Sequence, residues 1–141
     1  MPSYARFLVA GHGTELSVDF VNDIPLHFGD FEFDKSLGKV DSWRNILSNE
    51  ISAPSRLEMK DFVYVWALCR EYKFDWKEIM NEAEHKEASV YPPEISNLFI
   101  AFPFENLNTV KWVEGFDHTG IKEDFTLIAR DIFYGKPNSL A

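Results

Sequence analysis

Hydrophobic and polar positions change their period twice along the chain, and three blocks follow from that. In residues 4–34 the period is two. An apolar run at 4–10 ends at Gly11-His12-Gly13. Residues 14–21 then alternate, with Leu16, Val18 and Phe20 on one side and Glu15, Ser17 and Asp19 on the other. After Asn22-Asp23-Ile24-Pro25, which reads as a turn, residues 28–34 alternate again. Phe31 and Phe33 face one way and Asp30, Glu32 and Asp34 the other. Period two with aromatic and β-branched residues predicts half-buried strands. Pairing of 14–21 with 28–34 would place Glu15, Asp19, Asp30, Glu32 and Asp34 on one surface, with neighbouring carboxylates roughly 5–7 Å apart.

Residues 41–88 change to helical spacing. Asp41-Ser42 precedes Trp43, Ile46 and Leu47, an i, i+3, i+4 stripe that predicts a short helix ending near Asn49. Ser55-Arg56-Leu57-Glu58 has the form of a capping box ahead of Phe62, Val65, Trp66 and Cys69, which share one helical face. The run 62–66 has strand propensity too, but the cap and charged flanks favour helix. Asp75 caps a third helix with Ile79, Met80 and Ala83 inside and Lys77, Glu78, Glu82 and Glu84 outside; Tyr91-Pro92-Pro93 stops it.

Residues 96–134 return to period two. Leu98, Ile100, Phe102 and Phe104 fall on one face of a strand that Pro103 would make an edge or a bulge. Two further strands are expected at 109–116 and 124–133, separated by a turn at Asp117-His118-Thr119-Gly120. Lys136-Pro137-Asn138-Ser139 reads as a frayed tail. Strands, then helices, then strands predict an α+β fold in one domain spanning 1–141. The sheet would be mostly antiparallel, built from N- and C-terminal strands, with the central helical block packed on one face.

Composition sharpens this picture in one respect. Thirteen Phe, five Tyr and four Trp make up 16% of the 141 residues. That is enough aromatic area for a stable core, with some left over for interface anchors or a self-interface. Charge changes the picture more. The formal net charge is −9, and no Lys or Arg occurs between Arg6 and Lys35, where six carboxylates fall. Such a field disfavours nucleic acid and lipid headgroups and favours a protein with a basic surface. The five grouped carboxylates are therefore the candidate partner-binding residues.

No catalytic motif is complete. His12, between two glycines after an apolar strand, is a candidate general acid or base for a small hydrolase. Chemistry of the paired His-x-Thr kind needs a second copy, which His118-Thr119-Gly120 does not supply. Asp30, Glu32 and Asp34 lie too far apart along a strand to ligate one cation, and no cofactor motif is present. The lone Cys69 sits in an apolar segment, as a buried thiol would. No signal-peptide pattern occurs at the N-terminus and no apolar run approaches the ~20 residues of a membrane span, so the expected location is cytoplasmic. The leading expectation is a small acidic binding module, an inhibitor of the immunity or viral counter-defence type. A hydrolase using His12 and a virion or scaffold subunit are the alternatives.

Overall fold

The computed structural model describes residues 4–22, 25–112 and 117–141. Strand β1 (Tyr4–Gly11) runs antiparallel to β2 (Thr14–Val21) over its whole length, with Tyr4 opposite Val21 and Gly11 opposite Thr14. Their connection is the two residues His12 and Gly13, at φ 50° and 77°. Left-handed backbone at both positions is the turn geometry whose twist matches a right-twisted ribbon. β1 is thus the partner of β2, and the expected pairing of 14–21 with 28–34 does not form. A two-residue closure costs less chain entropy than a longer connection would.

The acidic segment instead makes its own small sheet, β3 (Glu32–Asp34) against β4 (Gly38–Val40), with Glu32 opposite Val40. Its turn is held by Asp34, whose Oδ1 accepts from the amides of Ser36 and Leu37 at 2.7 and 2.9 Å. Residues 23–24 of the expected turn, like 1–3 and 113–116, lie outside the described residues.

The central helices form where local signals place them. Helix α1 (Trp43–Ser52) starts at Ser42, whose Oγ accepts from the Asn45 amide at 3.1 Å, and it runs past Asn49 to bury Ile51. Helix α2 (Met59–Glu71) buries Phe62, Val65, Trp66 and Cys69, the predicted face. Its cap differs from expectation. Pro54–Arg56 is a 3-10 turn, and the capping box forms between Glu58 and Asp61; the Ser55 side chain lies outside what is described. Helix α3 (Trp76–Lys86) is capped by Asp75, which accepts from the Lys77 amide at 2.8 Å. Glu82, expected outside, is buried, because Arg44 of α1 reaches it with Nε at 2.6 Å from Oε1.

The C-terminal block is the main correction. Where strands were expected at 98–104 and 124–133, the chain forms helix α4 (Pro92–Ile100), a 3-10 segment Phe104–Thr109 and helix α5 (Ile121–Tyr134), while residues 113–116 of the strand expected at 109–116 lie outside the described residues. Pro92 and Pro93 open α4 instead of merely ending α3, since a first helical turn needs no amide donors there. The residues that are buried, Ile95, Phe99 and Phe102, then Phe125, Ile128, Ala129 and Ile132, follow helical spacing. The α+β class stands, but the C-terminal half adds no strand among its described residues. The helices pack on one another, α4 on α5 and α1 on α3. Phe62, Phe99, Phe102, Phe104 and Phe125 form one aromatic cluster in their midst, with neighbouring centroids 4.9–6.4 Å apart.

The tail is docked. Asn138 is buried, and its Nδ2 donates to the carbonyls of Cys69 and Tyr72 at 2.6 and 2.8 Å. Its own amide donates to the Phe74 carbonyl at 2.9 Å.

Candidate interaction surface

Residues opposite each other in an antiparallel pair share a face. In the β1–β2 ribbon one face therefore holds Ala5, Phe7, Val9, Thr14, Leu16, Val18 and Phe20, and the other Tyr4, Arg6, Leu8, Glu15, Ser17, Asp19 and Val21. The alternation read from 14–21 is correct, and β1 continues it. Yet the apolar face is not covered: Phe7, Val9, Leu16 and Phe20 are each more than half exposed. Eleven of the seventeen exposed large hydrophobic side chains among the described residues fall between Tyr4 and Leu37.

The five predicted carboxylates part company. Asp19 is engaged by the residue opposite it: Arg6 Nε and Nη2 donate to its two oxygens at 2.6 and 2.9 Å, and Tyr4 adds a hydroxyl at 3.0 Å. The Arg6 guanidinium holds the Asp19 carboxyl below the usual range. Asp34 is likewise lowered, by the Leu37 and Ser36 amides of its own turn. Glu15, Asp30 and Glu32 are exposed, and no ion pair or hydrogen bond engages their carboxylates among the described residues. Asp30 and Glu32 flank Phe31; Glu32 precedes Phe33 in β3, and the turn that follows carries Leu37. Phe33 and Leu37 are 81% and 78% exposed, the most of any large hydrophobic described.

This tongue is anchored, and the anchor left no local signature. His27 Nε2 lies 2.6 Å from Asp41 Oδ1, and the His27 ring stacks on Phe31 at 3.9 Å. Asp41 also accepts from the Ser42 amide and from Asn45 Nδ2. Burial pushes the Asp41 carboxyl up, but the bonds from Asn45, His27 and Ser42 outweigh it and hold it below the usual carboxylate range. The Phe28 amide donates to Asn45 Oδ1, and Ser42 Oγ donates to the Phe28 carbonyl at 2.6 Å. Gly29 sits between them at φ 81°, and a Cβ there would meet Ser42 Oγ at 2.6 Å. The bonds His27–Asp41, Phe28–Asn45 and Ser42–Phe28 join residues 14–17 apart, beyond the reach of any helical or strand period.

His12 stands exposed at the ribbon tip, and His118 stacks on Trp112 at 4.6 Å. A groove of about 630 Å³ on α2 is lined by Met59, Val63, Tyr64 and Trp112 among others, and one of about 930 Å³ runs between α3 and the end of α5. Neither is lined by His12 or by any of the five carboxylates. Cys69 is buried, which pushes its thiol well up and makes it a poor nucleophile. Among the described residues no cluster of three or more His, Cys, Asp or Glu could hold a metal ion, and no helix is long and apolar enough to cross a membrane. No family model matches the chain, and neither a curated protein nor a solved structure matches it.

Proposed function

We propose that this protein is a protein-binding module whose contact element is the β3–β4 tongue and the segment leading into it. The observation that carries this is that one short segment presents Phe33 and Leu37, almost wholly exposed, together with Asp30 and Glu32, whose carboxylates no ion pair or hydrogen bond engages among the described residues. Aromatic and aliphatic anchors that fill a partner's pocket supply most of an interface's energy, while charges at the rim set approach and selectivity. The tongue is held to α1 through His27–Asp41 and Phe28–Asn45, so little ordering entropy is lost on docking. Its partner is a protein with an apolar cleft rimmed by Lys or Arg, because a chain of net charge −9 is steered toward positive surfaces. Occupying a surface that otherwise takes phosphates, as an inhibitor of a nucleic-acid enzyme does, is the setting this chemistry fits.

The test is affinity capture followed by binding kinetics with three proteins. Asp30→Asn with Glu32→Gln is expected to slow association roughly tenfold at low salt and less at high salt. Phe33→Ala is expected to speed dissociation with little change in association. A captured partner whose rates are indifferent to both changes overturns the reading.

A further inference from the structure

We infer that the apolar face of the β1–β2 ribbon is the surface on which a second copy of this chain packs, sheet face against sheet face. The face is made of Ala5, Phe7, Val9, Leu16, Val18 and Phe20, with the Phe7 and Phe20 rings edge to face at 5.4 Å. It carries no charged side chain, and its one polar side chain, Thr14 beside the turn, donates to the Gly11 carbonyl at 3.0 Å. Every charged strand residue of the ribbon (Arg6, Glu15 and Asp19) belongs to the opposite face.

That arrangement selects the occupant. A basic partner gains nothing from a face without a carboxylate, and it would find its complement on the tongue instead. A second copy can meet this face without burying or opposing a charge, even though each chain carries −9. A two-fold axis places the patch on itself, which satisfies the self-complementarity a closed dimer requires. Two ribbons with the same right-handed twist stack aligned at about 10 Å, leaving the Arg6–Asp19 pairs in water on the outside.

The area suits a weak, concentration-dependent pair. With the four large side chains 54–62% exposed, each copy offers about 400 Å². A pair would bury about 800 Å², in the range of weak, transient interfaces. The ribbon also gains what it lacks alone. A two-stranded hairpin is marginal in water, whereas four strands in two layers enclose a core of their own.

Sedimentation equilibrium of the full chain tests this from about 1 to about 200 µM, where interfaces of this size dissociate. The wild type is expected to approach twice the 16.4 kDa monomer mass, undiminished at high salt. Phe7→Ser with Phe20→Ser is expected to raise the dissociation constant roughly hundredfold or more, with helical circular dichroism unchanged. Leu8→Ser, on the other face, should still dimerise. Monomer mass throughout overturns the proposal, as does a double variant that dimerises like the wild type. So does flotation of the wild type, but not the double variant, with phosphatidylcholine vesicles, which would make lipid the occupant. The tongue variants Asp30→Asn and Phe33→Ala should dimerise normally, so failure here and failure of the partner reading are separable.

Discussion

Residues 4–40 and residues 43–140 obey different rules. All twenty buried hydrophobic residues among those described lie between Leu47 and Ile132, and none comes from the four strands. The strands nonetheless have the regular features of a folded sheet: full register, a two-residue turn of the favoured hand, a cross-strand ion pair and a clean apolar face. Amphipathicity is therefore not the same as burial. In the helical body, apolar stripes meet each other and vanish from solvent; in the ribbon an equally good apolar face meets nothing within the chain's described residues that covers it. A surface with that much order and no intramolecular partner points outward, and this is why function is sought in the N-terminal third.

The comparison predicts a gradient of mutational cost. Trp66→Ala should be the most severe change, about 3–5 kcal/mol by urea unfolding. It empties a site with no solvent exposure and strands Asp124, whose Oδ2 takes the indole proton at 2.8 Å. Asn138→Ala should cost about 2 kcal/mol, since it leaves the Cys69 and Tyr72 carbonyls without their donor. A tail that behaved as frayed would show no loss in the same measurement and would move the boundary of the body back before residue 138.

Asp41 joins the two regions, and acid should loosen that joint. Its folded carboxyl titrates below its unfolded value, so the stabilisation is complete above about pH 4 and is lost as pH falls through the lower, folded value. The melting temperatures of wild type and Asp41→Asn should therefore converge as pH is lowered below about 4. A constant difference between them would mean the His27–Asp41 contact does not depend on the carboxylate. The smallest effect is expected from removing residues 1–21. At monomer concentrations the helical melting transition should shift by less than about 0.5 kcal/mol. A larger loss would show that the ribbon is part of the body after all.

Helix starts were legible because a cap is a local bargain. Ser42 and Asp75 each satisfy an amide two or three residues on, and Phe62, Val65, Trp66 and Cys69 need only the helical period. The C-terminal half misled for an equally local reason. Leu98, Ile100, Phe102 and Phe104 alternate, but Ile95, Phe99 and Phe102 fit a helical stripe in the same stretch, and strand-prone side chains do not decide between them. In the candidate site, the acidity and the two facing directions were readable. The grouping of the five carboxylates was not, because it depended on which strand pairs with which. Glu15 and Asp19 went with Arg6 in one sheet, and Glu32 and Asp34 closed another.

By itself the sequence determined the α+β class, the polar and apolar sides of β2, the central helices and the acidic N-terminal field. Each of these rests on interactions within about four residues, where periodicity and capping act. The tertiary structure alone decided that β1 pairs with β2, that Pro92–Ile100 and Ile121–Tyr134 are helical, that Asn138 locks the tail, and that the ribbon's apolar face stays open. Those outcomes turn on contacts between residues 13 to 69 apart, such as Arg6–Asp19 and Asn138–Cys69. Their energy comes from packing and paired polar groups that exist only once distant segments have met.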